Sequence, residues 1–541
     1  MYRIRIFLIA FILSSFSLSA QNYDYKFRLM LTDKGDNSAF STDNPEAFLS
    51  QRAIDRRIRQ NIPIDESDLP ISDTYITQIE NLGCTVVAKS KWLKSVSVHC
   101  SDSLLIDQLL LLPFVKSATF VWRGETATRK YKTPNTEVKM VKSVKNSSPY
   151  GYGYDQIALN NGQKLHEAGY KGEGMQIAII DAGYSNLPMI DQLKNINILG
   201  VKDFVYEGGD IYTSNPHGTH VLSTMASNIP DTLIGTAPNA GYWLLRSEDA
   251  VTEYPIEEDY WVAAAEYADS IGADLINTSL GYTLYDFPAK SYTYNDMNGK
   301  TAFISQGADY ASQKGLLVVA SAGNERNKPW VKIGAPADAQ SVLTVGAVKQ
   351  DSLFASFSSQ GPSSDLRTKP DVMAKGADVS IIMYTTGQVA SGNGTSYSSP
   401  IMCGMVACLW QAFPLLTNKQ ICDIVKQSSN YYTSPNDDYG YGLPDMEKAI
   451  QLAQDFSSIR ITTSTSENFT ILSDSYGRVT IRPRNQHQES FKVNIYSVSG
   501  TELVSETCSS EITFDLGMNR KNVYLIVING QHITERIKAF F

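Results

Sequence analysis

The chain has 541 residues, 43% apolar and 19% charged, which excludes a disordered polymer and is too long for a single hydrophobic core. Two to four domains are therefore expected. The net charge is −9, with no long like-charged run and no basic patch interleaved with aromatics, which argues against nucleic acid as the main partner.

Residues 1–20 read as a cleaved secretory signal. Arg3 and Arg5 give a basic start, Ile6 to Leu13 is apolar but too short to span a bilayer, and Ala20 suits signal peptidase. No later stretch approaches the ~20 consecutive apolar residues of a membrane helix. Residues 22–122 follow a βαββαβ order. The order runs through a strand at Lys26–Leu31, a helix opening at Asn44-Pro45-Glu46, strands at Thr85–Ala88 and Ser95–His99, an amphipathic run near Leu104–Leu112, and a strand at Val115–Val121. This order suits a small α+β split-βαβ, ferredoxin-like sandwich. Residues 123–152 are polar and basic and read as an exposed linker of the kind proteases cut.

Residues 155–455 alternate β-branched runs (Met175–Ile180, Asp274–Asn277, Leu316–Ala320, Val342–Val348) with helical stretches, which indicates an α/β block around a mostly parallel sheet covered on both faces. Residues 458–541 change to short alternating strands: Phe469–Leu472, Arg478–Arg482, Phe491–Tyr496, Glu511–Phe514, Val523–Ile528 and Ile533–Ala539. Turns such as Tyr476-Gly477 and Asn529-Gly530 separate them, the pattern of a small all-β sandwich.

Of the six cysteines, Cys84 and Cys100 flank the tight segment Lys89–Leu93. They either face each other across a hairpin within bridging reach or remain two separate thiols. Cys403, Cys408 and Cys422 read as buried small hydrophobes. No Cys/His spacing suits structural zinc, and no metal ligand is assigned.

Three motifs in the α/β block carry chemistry. Ile177–Gly183 (IAIIDAG) ends a buried strand in Asp181. Pro216–Val221 (PHGTHV) places His217 in the first turn of a helix. Gly392–Pro400 (GNGTSYSSP) places Ser396 at a helix N-terminus. Each alone has an ordinary reading as a turn carboxylate, a packing histidine or an N-cap. Together they are the parts of a nucleophilic triad. A serine hydroxyl needs a base, and the base needs a carboxylate to fix its tautomer. There is no GxSxG motif, which disfavours a hydrolase elbow.

In the chain order Asp, His, Ser, the block from about 155 to 450 resembles a subtilisin-like peptidase domain. The resemblance implies a three-layer sandwich and a serine endopeptidase acting on proteins or peptides through an acyl-enzyme. Asp181, His217 and Ser396 would form the triad, with His220 structural. From Val318–Glu325 (VVASAGNE), Asn324 would join the Ser396 amide as an oxyanion donor. From Asn277–Gly281 (NTSLG) and the strand that follows, Ser279, Leu280, Gly281, Ser321, Ala322 and Gly323 would wall the pocket that takes the substrate side chain. The runs FSSQGP (Phe357–Pro362), KPDV (Lys369–Val372) and GYGLPD (Gly440–Asp445) are also similar to the family.

The family often has an aspartate just before HGTH; here the residues are Ser214-Asn215-Pro216, so its calcium sites do not carry over. Calcium stays open as the one cofactor, and Asp296–Gly299 is read as a solvated turn. The acidic insertion Asp249–Asp259 is read as a solvated loop, the alternative being a preference for basic substrate residues. Residues 22–122 resemble the inhibitory propeptide of the family, which would make the domain the enzyme's own inhibitor, with maturation in 123–152. Residues 458–541 resemble a sorting domain of type IX secretion, which implies a secretion-machinery partner and a secreted or cell-surface bacterial protein. A carbohydrate- or protein-binding sandwich is the competing reading of that block. A catalytically silent binding protein is the alternative for the whole chain.

Overall fold

The computed structural model describes residues 23–36, 39–125, 139–140 and 146–457, then 464–465, 468–473, 478–484, 490–497, 500–516, 523–530 and 534–540. The signal at 1–20, most of the linker at 123–152, the turn Tyr476-Gly477 and Ile533 lie outside the described residues.

The strand Gln176–Asp181 is the centre of the molecule. Its run QIAIID is apolar and β-branched, and all but Gln176 is buried, as a strand covered on both faces requires. It belongs to a seven-stranded sheet. Across the sheet the order is Val372–Lys375, Leu343–Val348, Leu317–Ser321, Leu275–Thr278, Gln176–Asp181, Gly241–Arg246 and Asn197–Asp203. Every adjacent pair is parallel. Side chains alternate between two cores. Ile177, Ile179, Leu317 and Val319 pack beneath helices His217–Ala226 and Thr395–Ala412. Ala178, Ile180, Val318 and Ala320 face helices Ile256–Ser270 and Phe303–Gln313. Three layers result, as a sheet that must bury both faces dictates.

The chain starts in the middle of this sheet, passes to one edge at Asn197–Asp203, returns to fill the gap with Gly241–Arg246, then crosses to build the other side strand by strand. The order reverses between Gln176–Asp181 and Leu275–Thr278, and a crevice opens at the carboxyl ends of the strands at such a reversal. Asp181 ends one of the two strands and Ser279–Gly281 follow the other.

The N-terminal region forms a four-stranded sheet in the order Thr85–Ser90, Ser95–Cys100, Tyr23–Leu31, Val115–Glu125, antiparallel throughout. That is the split βαβ arrangement expected, with differences in its helices. Asn44 makes no side-chain cap, and Pro45–Ala47 is only a single 3₁₀ turn. The α-helix begins at Gln51, where the Ser50 side chain accepts the Ala53 amide. A further helix, Asp73–Glu80, starts behind the cap Ser72.

Beyond residue 458 the described strands form two four-stranded sheets. Phe469, Ile471, Val479 and Ile481 of one meet Phe491, Val493, Ile495 and Ile526 of the other in a common core. The strand Glu502–Cys508 is additional to those expected. No helix among the described residues is long and apolar enough to cross a membrane.

Candidate active site

Asp181 is fully buried at its strand end, and its Oδ1 accepts the Ala182 amide at 2.7 Å. The same oxygen takes the Nδ1–H of His217 at 2.7 Å. His217 is the first residue of its helix, and its backbone N–H donates to Asn215 Oδ1 at 2.8 Å. The approach of helix to strand depends on Gly218: a Cβ there would stand 2.5 Å from the Gly183 carbonyl and 2.7 Å from the Tyr184 ring. With Nδ1 bonded to the carboxylate, Nε2 is left as the basic nitrogen. Burial alone would depress the imidazole pKa, but the charge and hydrogen bond of Asp181, with a smaller push from Glu248, raise it above its ordinary value.

His220 lies one turn further along the same helix, 1% exposed, with its ring 5.6 Å from that of Tyr384. Burial, then the neighbouring His217, pushes its pKa down to about 3, so it stays neutral. That placement agrees with a packing role.

Ser396 is the second residue of the helix Thr395–Ala412. Its carbonyl accepts Ser279 Oγ at 2.9 Å, and its hydroxyl donates to the Ser279 carbonyl at 3.4 Å. A bond from this hydroxyl to His217 is not formed among the described residues; the His217 ring centre stands 6.4 Å from that of Tyr397. Such contacts tighten when substrate binds.

Asn324 is held by its oxygen. Its Oδ1 accepts the Thr395 amide at 2.9 Å and Thr395 Oγ1 at 3.1 Å. The Nδ2 donor is thereby turned away from the clamp. Both donors border Gly394: a Cβ built there would lie 3.6 Å from Asn324 Nδ2 and from the Ser396 amide nitrogen, so the two nitrogens flank the same small space. At φ +151° the position also favours glycine.

A pocket opens beside them. It is lined by Ser279, Leu280, Gly281, Ser321, Ala322 and Gly323, all named from the sequence, together with Asn324 and Ser396. Thr283, Glu325 and Gly334 complete the wall and were not foreseen as lining residues. Glu325 was visible inside VVASAGNE but carried no assigned role; it pairs with Lys328 at 2.9 Å.

Comparison with known proteins decides the family. The Subtilase family model matches residues 172–442, and the Bacteroidota peptidase S8 propeptide model matches residues 26–139. Subtilisin DY of Bacillus licheniformis is 33% identical over 312 residues, covering 56% of this chain and 98% of that one. The chain is a subtilase. Subtilisin E of Bacillus subtilis (strain 168) is 31% identical over 303 residues, covering 56% of this chain and 71% of its own. A thermostable alkaline protease of Halalkalibacterium halodurans is 28% identical over 318 residues, covering 59% and 76%. The subtilase is a serine-type endopeptidase with an S8 propeptide domain ahead of its peptidase domain.

In this subtilase the acidic insertion is not the solvated loop expected from its composition. Glu257 and Glu258 are 1% exposed and Asp259 is 3% exposed. The insertion runs into the first turn of the helix Ile256–Ser270, whose positive dipole end favours carboxylates. Asp259 receives Arg28 of the propeptide domain at 2.6 and 2.7 Å, and Glu258 accepts Tyr285 and Tyr292. Glu248, Glu253 and Glu257 bring one oxygen each within 4.8 Å of one another, the one group of residues found that could hold a cation among those described. Burial pushes Glu248 up to about 7 and Glu253 to about 9, so protons can do the same work. In the Asp296–Gly299 turn, Asp296 Oδ2 accepts the amide and hydroxyl of Thr293, and Asn298 Oδ1 accepts the amides of Lys300 and Thr301.

Proposed function

We propose that Asp181, His217 and Ser396 are the catalytic triad of an exported zymogen, with Asn324 and the Ser396 amide as its oxyanion donors. The observation that carries this is the meeting at the sheet's reversal point: a buried carboxylate on Nδ1 of His217, and the Asn324 amide and Ser396 backbone nitrogens flanking one space beside Ser396.

The chemistry follows from these groups. His217 Nε2 removes the Ser396 proton as Oγ attacks the scissile carbonyl, and Asp181 stabilises the imidazolium. The carbonyl oxygen becomes an oxyanion held by Asn324 Nδ2 and the Ser396 amide. His217 then returns the proton to the leaving amine, and water repeats the sequence on the acyl-enzyme. Ser279–Gly281 and Ser321–Gly323 flank the substrate, pairing with its backbone and walling the side-chain pocket. Hydrolysis of fluorescent casein by the matured protein tests the assignment. Ser396→Ala should abolish turnover, and a Ser396→Ala protein that still cleaves casein would contradict it.

We place the signal at 1–20, the inhibitory propeptide at 22–122, the linker with the maturation site at 123–152, the peptidase domain at 155–455 and a type IX sorting domain at 458–541. Support for the inhibitor is its docking. Arg56 and Arg57 bury their guanidinium groups against Asp269 on the peptidase helix Ile256–Ser270, and Ser90, Lys91 and Trp92 all donate to Glu266 on the same helix. Support for sorting is the two-sheet domain at the end of the chain. Deleting 458–541 should trap the enzyme in the periplasm; normal release with lost substrate binding would instead make the domain an adhesive module.

A further inference from the structure

Six cysteines are distributed unevenly in this fold. Cys403, Cys408 and Cys422 lie in helices of the peptidase domain, and Cys508 ends a strand of the C-terminal domain. Cys84 and Cys100 are together in the propeptide domain, 5% and 0% exposed within its apolar core. Thr85 pairs with His99 in the hairpin, which sets the two cysteines opposite each other at its open end. Their sulfur atoms stand 2.7 Å apart. Two buried cysteines one step beyond a paired position of neighbouring antiparallel strands lie within the reach of a disulfide.

We propose that Cys84 and Cys100 are oxidised to a disulfide in the exported zymogen, and that this bond staples the hairpin with which the propeptide grips the peptidase domain. The proposal rests on the export and propeptide readings above. The bond closes the base of the hairpin. The tip, between strands Thr85–Ser90 and Ser95–Cys100, makes the grip. Ser90 Oγ donates to Glu266 at 2.6 Å, and the amides of Lys91 and Trp92 donate to the same carboxylate at 3.0 Å. Ser90 Oγ also accepts the Leu93 amide at 3.0 Å, and the Trp92 side chain is 2% exposed, stacked on Tyr310. A free propeptide must hold this tip in shape to rebind, and a cross-link at the base removes the open conformations that compete with it.

The chemistry is ordinary thiol–disulfide exchange. One cysteine, as thiolate, attacks a small-molecule or protein disulfide and expels one thiolate. The second then attacks the mixed disulfide and expels the other. Two cysteine thiols lose two protons and two electrons, and the oxidant disulfide becomes two thiols. The mutual hydrogen bond favours this order, since it lowers the Cys84 pKa and raises that of Cys100. An oxidising compartment outside the cytoplasm supplies the oxidant.

The test uses the full chain carrying Ser396→Ala, which keeps the propeptide attached. After incubation in a glutathione redox buffer, the chain is denatured, alkylated and digested without reduction. We expect four alkylated cysteines and one cross-linked peptide pair joining Cys84 to Cys100, two hydrogens lighter than the reduced pair; reduction should release two more thiols. Six free thiols after that incubation overturn the proposal on geometry alone. A bond formed in the buffer but missing from chain isolated from its own cells overturns it through the export reading. The functional arm follows maturation of the active zymogen. Reductant should speed the escape from propeptide inhibition on the order of tenfold. The variant Cys84→Ser/Cys100→Ser should behave like reduced wild type and gain nothing from reductant. Equal acceleration of the double variant by reductant, or none of the wild type, contradicts the role given to the bond.

Discussion

At the residue scale, Asn324 gives the sharpest prediction. Its oxygen is fixed by Thr395, so only the amide donor is free for chemistry. Asn324→Ala should lower kcat about 10²–10³-fold with little change in KM, the range known for the matching donor of a subtilisin; steady-state kinetics on a peptide substrate would show it. His217 gives the second. The enzyme needs neutral imidazole, and the Asp181 pair raises the pKa at which it protonates. Activity should therefore fall as pH drops through a value above the usual imidazole pKa of about 6.5. The acid limb of a kcat/KM profile reads this directly, and Glu248→Gln should move it to lower pH. These residues were legible in the sequence because each sits in a short contiguous motif. The pocket role of Thr283, Glu325 and Gly334 was not, because two loops, after strands Leu275–Thr278 and Leu317–Ser321, bring them together and no local spacing records that meeting.

At the scale of elements, legibility followed burial. Gln176–Asp181 and Leu317–Ser321 are buried almost throughout, and their apolar runs located them to within a residue. Glu502–Cys508 is mostly exposed and lacks an alternating apolar face, so it left no pattern to read. The helix Ile256–Ser270 was obscured for the opposite reason. Its first turn is acidic, yet all three carboxylates are buried: partners distant in sequence meet Glu258 and Asp259, and Glu257 accepts the nearby Asp249 and Tyr254 amides. That helix also predicts behaviour. Asp269, near its C-terminal end, faces the two buried guanidinium groups of Arg56 and Arg57, and the second guanidinium also meets Asp68. Removing one partner of a buried ion pair costs about 3–5 kcal/mol because the other charge is left stranded. Asp269→Ala should thus weaken binding of the cleaved propeptide at least about 10²-fold without changing kcat of the freed enzyme. An inhibition titration with the chain's own propeptide measures this, and an unchanged inhibition constant would remove helix Gln51–Gln60 from the interface.

At the scale of the molecule, the propeptide sits on the peptidase face built by helices Ile256–Ser270 and Phe303–Gln313, opposite the face that carries His217 and Ser396 on their helices. The propeptide domain is therefore anchored away from Ser396. A propeptide region ahead of the peptidase domain was legible in the element order and motifs, whereas the docking was not, since it depends on arginines and carboxylates more than 200 residues apart. The central claim is that Ser396 is the nucleophile and His217 its base. The most direct measurement treats matured enzyme with a serine-directed fluorophosphonate and maps the adduct by mass spectrometry, beside a His217→Ala variant. The account predicts a single adduct on Ser396 in the wild type and a labelling rate reduced by orders of magnitude in the variant. An adduct on another serine, or equal labelling without His217, would contradict it.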